Sequence, residues 1–534
     1  MVPGALCDFG HFTVGNNMKP CGVVAAGHPV TAGAADQVLR AGGNAFDAAV
    51  AAFFAACVAE PVLASLAGGG FLLAGFPSQA CKLFDFFVQT PRRARTGVDF
   101  YPIQVDFGSA QQEFHVGMGA CATPGCVRGI LQVHASLGRM PLTELVVPAC
   151  EAARQGVVVN RLQAYIFQLV RGIYATDPAR RHLPLASAAG PVPVEGDMVR
   201  FFDLADVIET LAIEGEDLFC RGEIAARIAE LCDAHGGHLS IEDLREYPVE
   251  IRAPLQITFR DVEIITNPVP STGGLLMGFG LQLLEPMDSE VAFGSYPHFR
   301  LLAEAMQQTS DARLRHLTAT PGADDQASNR LLDSSLLRQY RERVAHRARA
   351  LSGTTHVSIM DKMGHVASMT VSNGEGNGYV VPGTGIMLNN MLGEQDLNPT
   401  GFQKWRPNQR LCSMMAPTLA RFADGGAVAT GSGGSNRIRT ALLQVLLNLA
   451  YFGRDLESAV HAPRIHLEDA NLNMEGGIDD TVVARLTAEF PEHRVFDALN
   501  LFFGGAHSVG RDRHGRFQGV GDPRRDGVSA ISGG

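Results

Sequence analysis

The run Leu351-Ser352-Gly353-Thr354-Thr355-His356-Val357-Ser358 sets a small glycine before a hydroxyl residue and a strand-like segment after it. That is the pattern of a self-cleavage junction. If the Gly353–Thr354 bond breaks, Thr354 becomes an N-terminus carrying a nucleophilic hydroxyl and an α-amine on one residue. An α-amine titrates near ~7.7–8.0, so a useful fraction is neutral at physiological pH and can take the hydroxyl proton. The bland alternative is a strand that merely opens on Thr-Thr, and the dipeptide alone favours it.

A second group is Thr430-Gly431-Ser432-Gly433-Gly434-Ser435-Asn436-Arg437, between strand-like Ala427-Val428-Ala429 and an apolar helix from Thr440 to Leu449. Glycine-rich backbone entering a helix N-terminus gathers amide N–H groups and the positive dipole end at one spot. That spot suits the oxyanion of a tetrahedral intermediate. It would also suit a phosphate, but no Lys-Ser/Thr follows, and Asn436 stands where G-x-G-x-x-G needs its third glycine. A nucleotide-binding oxidoreductase is therefore the weakest reading. A third group, Cys412-Ser413-Met414-Met415-Ala416-Pro417, sets thiol and hydroxyl groups ahead of a strand.

The ten cysteines contain no Cys-x-x-Cys, and the 17 histidines show no zinc-type spacing, so no metal or other cofactor is expected. Most cysteines read as small buried thiols, as in Ala55-Ala56-Cys57-Val58. His235 and His238 flank a Gly-Gly turn and read as solvated. No Gly-x-Ser-x-Gly occurs, which argues against an α/β-hydrolase serine.

These groups need elements to hold them. Val23-Val24-Ala25-Ala26 reads as a buried strand, followed by a helix from about Thr31 that Gly42-Gly43 stops. Asn44 to Val58 reads as a buried helix, and Phe71 to Ala74 as a strand after Gly68-Gly69-Gly70. Strands and helices alternate to about residue 150, an α/β (α+β) pattern. The stretch 200–350 reads as mostly helical, with Pro268 to Gly274 a loop before the helix Leu275 to Leu284. Thr318 to Asn329 is the one polar, breaker-rich stretch before the junction. After it, Thr354 to Asp361 and His365 to Ser372 alternate with period two around Asp361-Lys362-Met363-Gly364, a β-hairpin. Centring the turn at Lys362–Met363 sets Thr354 opposite Val371, with Thr370 and Ser372 flanking. Ser372 is thereby carried back to the nucleophile.

The formal charge of −11 and the lack of any Lys/Arg-rich run exclude a nucleic-acid or anionic-membrane partner. Apolar residues make up 46% and charged residues 19%, which fits an enzyme with a large core. Met1 to Pro20 lacks the basic and apolar regions of a signal peptide. The longest apolar run, Ala45 to Val58, contains Asp47 and is shorter than the roughly 20 residues that span a bilayer. A cytoplasmic protein is expected.

Taken in order, these segments resemble the γ-glutamyltranspeptidase family of N-terminal nucleophile hydrolases. The markers are Gly22-Val23-Val24-Ala25, Ala41 to Ala49, Gly68-Gly69-Gly70-Phe71, Pro270-Ser271-Thr272-Gly273-Gly274 and Thr354-Thr355-His356. Pro382 to Asn390, Ser413 to Thr418, the glycine turn at 431–434 and Gly521-Asp522-Pro523-Arg524 complete the set, from about residue 22 to 530. The resemblance implies a four-layer αββα sandwich, made as a precursor and cut into Met1–Gly353 and Thr354–Gly534, which stay together as one unit and possibly dimerise. It implies Thr354 as nucleophile, Ser372 as its support, and Gly433 and Gly434 as the oxyanion pair. Cys412 and Ser413 would contact the substrate carboxylate, Glu394 its amine, and Asn373 supplies a polar contact. The implied activity is hydrolysis or transfer of γ-glutamyl amides such as glutathione, with water or an amine as acceptor.

One departure bears on the substrate. The family segment Asp-x-Arg-Glu-x-Ala-Pro supplies an arginine for the γ-glutamyl α-carboxylate, and here it reads Asp85-Phe86-Phe87-Val88-Gln89-Thr90-Pro91. Phe87 replaces that arginine, and Arg92 or Arg93 would have to compensate. Losing a charge-assisted bidentate contact costs on the order of 2–5 kcal/mol. An acylase for another small carboxylated amide is the resulting alternative, and a non-catalytic binding protein of the same fold a remote one.

Overall fold

The computed structural model describes residues 19–533, apart from 107–110, 184, 186, 188–189, 288–289, 318–330, 342–353, 399–400 and 469. Gly353, Cys7 and the polar stretch Thr318 to Asn329 lie outside the described residues.

Two antiparallel sheets lie face to face and use strands from both sides of residue 354. In chain order the strands before it are β1 (Pro20–Ala26), β2 (Gly69–Gly75), β3 (Lys82–Phe86), β4 (Glu250–Arg252), β5 (Leu255–Phe259) and β6 (Val262–Thr266). Those after it are β7 (Thr355–Asp361), β8 (Val366–Ser372), β9 (Thr418–Phe422), β10 (Ala427–Gly433), β11 (Gly505–Arg511), β12 (Phe517–Val520) and β13 (Val528–Gly533). The first sheet runs β13-β1-β7-β8-β2-β3-β4 and the second β12-β11-β10-β9-β6-β5.

Helices cover the outer faces. α1 (Pro29–Arg40) and α2 (Ala45–Ala59) pack on the first sheet. α3 (Gly273–Leu284), α4 (Tyr296–His316) and α5 (Arg437–Ala450) form the layer beyond the second. The result is the four-layer αββα arrangement, a way of burying both faces of each sheet. α2 is buried along its whole length, and its Phe46, Phe53 and Phe54 each contribute about 2–3 kcal/mol of burial. Its one charged residue, Asp47, accepts from the Asn44 amide at 2.9 Å in a capping box and from the amides of Arg139 and Met140. α2 ends at Glu60, which is 1% exposed.

The stretch 200–350 is less helical than expected, because Leu255-Gln256-Ile257-Thr258-Phe259 and Val262-Glu263-Ile264-Ile265-Thr266 form the hairpin β5–β6. Their β-branched residues and the left-handed Arg260 (φ 54°) at the turn favour it. The junction hairpin also differs in register. Its loop holds three residues, with Gly364 left-handed (φ 82°) and the Asp361 carboxylate accepting from the Met363 and His365 amides. Thr355 therefore pairs with Val371, and one further step brings Thr354 level with Ser372, not Val371. Residues opposite one another in an antiparallel pair project to the same face. The glycine run also begins as strand: Gly431 to Gly433 belong to β10, and α5 starts at Arg437, so only Gly434-Ser435-Asn436 form the turn. His238 is buried, not solvated: its Nδ1 accepts from the Arg95 amide and its Nε2 lies 2.9 Å from Gln403 Oε1.

The interior between the sheets is apolar over most of its area but polar beneath the junction. His356 Nδ1 lies 2.7 Å from Thr370 Oγ1 and its Nε2 2.9 Å from Ser358 Oγ. Ser358 and Ser368 donate to the carbonyls of His507 and Thr430, so buried hydroxyls tie the sheets together.

Candidate active site

Thr354 stands just before β7 and is 4% exposed. Its carbonyl accepts from Arg525 Nη1 at 3.0 Å. A Cβ on Gly433 would come within 2.1 Å of that carbonyl oxygen, so only glycine lets β10 approach so closely. Gly434 follows with φ 120°, and the Ser435 hydroxyl then donates to Asp396. Two strands thus bring the glycine turn against the predicted nucleophile. The next residue is fixed as firmly: Thr355 Oγ1 donates to Glu60 Oε2 at 2.7 Å, and Thr31 Oγ1 to Glu60 Oε1 at 2.8 Å.

Ser372, at the end of β8, is buried, and its Oγ accepts from the Gly374 amide at 2.9 Å. Asn373 is buried beside it and bridges to Glu375. Glu394 is 4% exposed and packs on the same loop, where a Cβ on Gly374 would lie 2.5 Å from Glu394 Oε1 and 2.1 Å from Asn390 Oδ1. Ser372, Asn373 and Glu394 therefore share one wall.

A second wall joins two segments. The Leu411 amide donates to the Val88 carbonyl at 3.1 Å, which sets Cys412 and Ser413 beside the Phe87 segment. Ser413 is held from both sides. Its Oγ accepts from the Met415 amide at 3.0 Å and its carbonyl from the Thr272 amide at 2.8 Å. Cys412 Sγ lies 3.7 Å from Thr272 Oγ1, and burial pushes its thiol up despite that contact and the nearby Arg313. Phe87 is 1% exposed and stacks on Phe71 with centroids 5.4 Å apart. The neighbouring carboxylate of Asp85 is bound by Arg252 at 2.8 Å and Arg410 at 3.2 Å.

Arg92 is not brought to this site. It is exposed, and its backbone amide donates to Asp243 Oδ1 at 2.6 Å, which anchors the chain on the outside. Arg93 is exposed as well. Sequence reasoning missed Arg525, Glu60 and Asp396. Glu60 left one signal, an acid closing an otherwise apolar helix; Arg525 directly follows the Gly521-Asp522-Pro523-Arg524 marker.

Below the turn lies a buried ion network. Asp522 is held by Arg464 at 2.7 Å and Arg524 at 3.1 Å, and Arg524 reaches Glu475 at 2.6 Å. Burial would raise the Asp522 carboxyl, but the two guanidiniums and the Ala506 and Arg524 amides outweigh it and hold it far below the usual range. Burial raises Glu60, opposed by its two threonine hydrogen bonds and by Arg525. Burial lowers His356, and His507 adds to the effect.

Known proteins match this arrangement along nearly the whole chain. The family model described as Gamma-glutamyltranspeptidase matches residues 31–532. An "Acylase ACY 1 proenzyme" of Pseudomonas sp. (strain SE83) is 32% identical over 96% of this chain and 94% of its own length. A "Glutathione hydrolase proenzyme" of Bacillus subtilis (strain 168) is 27% identical over 95% of this chain and 91% of its own length. Among solved structures, a cephalosporin acylase from Bacillus halodurans superposes with a TM-score of 0.82 at 23% identity, covering 97% of each chain. The chain belongs to the gamma-glutamyltranspeptidase family and has its N-terminal nucleophile hydrolase fold.

Proposed function

We propose that this chain is a self-processing amidohydrolase and acyltransferase whose acyl group is not γ-glutamyl. The observation that carries the reading is the placement of Thr354: the hairpin register, continued one step, sets Ser372 level with it, and Gly433 lies against its carbonyl. In maturation, Thr354 Oγ attacks the Gly353 carbonyl, the peptide C–N bond breaks, and the acyl group passes from nitrogen to oxygen. Water hydrolyses the ester, leaving a Gly353 carboxylate and a free Thr354 α-amine. The relatives named above as proenzymes support such a step. Both sheets contain strands from the two segments, β1 lying between β7 and β13 in the first and β6 beside β9 in the second, so the fragments stay joined after the cut.

In turnover, the α-amine takes the hydroxyl proton as Thr354 Oγ attacks the substrate carbonyl. The oxyanion faces the Gly433–Gly434 backbone, and the proton passes to the leaving amine. Water or a second amine then releases the acyl group. Phe87, stacked on Phe71 where the family arginine would stand, favours an acylase for a small carboxylated amide, with Cys412 and Ser413 on the same wall. Buried Glu394 favours a second reading, retained γ-glutamyl recognition, since its carboxylate suits a substrate ammonium.

Denaturing electrophoresis should resolve Met1–Gly353 and Thr354–Gly534. The cleaved protein should then be mixed with γ-glutamyl, glutaryl and short acyl anilides. We expect glutaryl or short acyl anilides to be turned over preferentially. A clear preference for γ-glutamyl anilide would reject the acyl assignment, and no turnover of any by cleaved protein would reject the activity.

A further inference from the structure

Arg525 has an unusual place for a buried cation. It is 7% exposed, and no carboxylate lies within 4.0 Å of its guanidinium among the described residues, because Asp522 is engaged by Arg464 and Arg524. It donates instead to the carbonyl of Thr354. Three glycines make room for it. A Cβ on Gly433 would lie 3.0 Å from Nη1, one on Gly434 3.2 Å from Nη2, and one on Gly505 2.6 Å from Cδ. The guanidinium is therefore wedged between the nucleophile's own carbonyl and the glycine turn. At the next residue, Glu60 holds the hydroxyl of Thr355.

We propose that Arg525 is a positioning residue that fixes Thr354 against the Gly433–Gly434 turn and whose charge disfavours protonation of the α-amine freed by cleavage. This rests on the reading of Thr354 as a self-released nucleophile. The nitrogen and carbonyl oxygen of one residue are close, so a guanidinium 3.0 Å from that oxygen stands within about 6 Å of the amine. A like charge at that range favours the neutral amine, the form that accepts the hydroxyl proton. Burial raises the Glu60 carboxyl towards its neutral form, which weakens any opposing charge there. The other titratable groups packed around this point and the glycine turn are His28, His356, His507, Asp396, Asp522 and Arg437, and burial raises the Asp396 carboxyl, which accepts from Ser435. Burial keeps the three histidines neutral at pH 7, with His28 and His507 pushed down to about 4. Asp522 is neutralised by its two arginines, and Arg437 is drawn onto the Phe502 ring. That leaves Arg525 as the charge bearing on the amine.

The test is the pH profile of kcat/KM, whose acid limb reports the base of the free enzyme. In cleaved full-length protein, Arg525→Met should move that limb up by about one pH unit and Arg525→Lys should largely restore it. A merely structural role would lower kcat/KM and leave the limb in place, and that result would overturn the proposal. If Arg525→Met stays uncut, Arg525→Gln, which keeps a donor for the Thr354 carbonyl without the charge, decides, an unmoved limb again overturning the proposal. Failure of Arg525→Lys, Arg525→Met and Arg525→Gln all to cleave would make Arg525 a requirement of the fold alone and overturn it as well. Wild-type protein that neither cleaves nor turns over would defeat the underlying reading instead, an outcome recognisable before any variant is made.

Discussion

Around Thr354 the chain buries charged and titratable groups, Arg525, Glu60, His356 and His507, whereas the Phe87 ring joins an apolar cluster with Phe71, Met391, Leu411 and Met414, with Asp85 and Arg410 binding only its backbone. The first wall is specified by close approach and charge. Gly433 cannot gain a Cβ, and each charge there has a named hydrogen-bond partner. The second wall is specified by shape, an aromatic stack with thioethers behind it. Close contacts and buried charges tolerate few substitutions, while packed apolar surfaces accept volume-conserving change. A scaffold built this way can keep its bond-breaking chemistry while its acyl pocket changes. On the reading proposed above, the side that bears Thr354 keeps the family's motif residues and the side that bears Phe87 departs from them.

The sharpest way to break this division is at the nucleophile. Thr354→Ala should give one uncut band, and turnover of any anilide should fall by about 10⁴-fold or more. Appreciable activity from the uncut variant would end the reading of the polar wall. The matching change on the apolar wall is Phe87→Ala. Removing a buried, stacked ring should cost about 3–5 kcal/mol, read as a lower urea midpoint, while self-cleavage persists. A variant that keeps wild-type stability but cannot cleave would place Phe87 in the catalytic wall and dissolve the contrast.

The polar wall was largely legible in the sequence, for physical reasons. Period-two alternation located β7 and β8, and the turn residues located their loop. The loop length was read one residue short, because the left-handed Gly364 and the Asp361 carboxylate stabilise a three-residue loop that composition does not reveal. That residue decides the face, since a one-step slip would turn Ser372 away from Thr354. Glu60 and Arg525 lie 295 and 171 positions from the residues they hold, Thr355 and Thr354, and such pairings exist only in the fold. On the apolar wall, the replacement of arginine by Phe87 could be seen, but its stacking on Phe71 could not. Arg92 looked available by proximity in sequence, and the Asp243 contact carries it to the surface.

Acid should strain the polar wall selectively. Burial depresses His28 and His507 from 6.5 to about 4. Between those values the unfolded chain takes up protons that the native state refuses, so stability rises with pH across this window and is complete above 6.5. Each group accounts for about 3 kcal/mol by pH 4. His28 also caps α1 through Nδ1, which accepts from the Val30 amide at 3.1 Å. His28→Asn keeps a cap without a titrating group and should flatten the urea midpoint between pH 4.5 and 7.5 by about half of the histidine contribution. An unchanged slope would remove His28 from the account.

Glu394 tests the boundary between the walls, with the smallest expected effect. It lies on the polar wall beside Gly374 and Asn390, yet its proposed partner belongs to the acyl group. If its carboxylate holds a substrate ammonium, Glu394→Gln exchanges a charge-assisted hydrogen bond for a neutral one and keeps the shape. KM for γ-glutamyl anilide should then rise about tenfold, equivalent to about 1.4 kcal/mol, while kcat stays within about twofold. Glutaryl anilide differs from that donor by lacking the amine, so its KM should barely move. An equal rise for both donors would make Glu394 part of the frame that holds Gly374 and, through it, Ser372. The amine would then have no recognised partner on either wall, and the acyl group would be selected by the Phe87 surface and the Cys412–Ser413 segment alone.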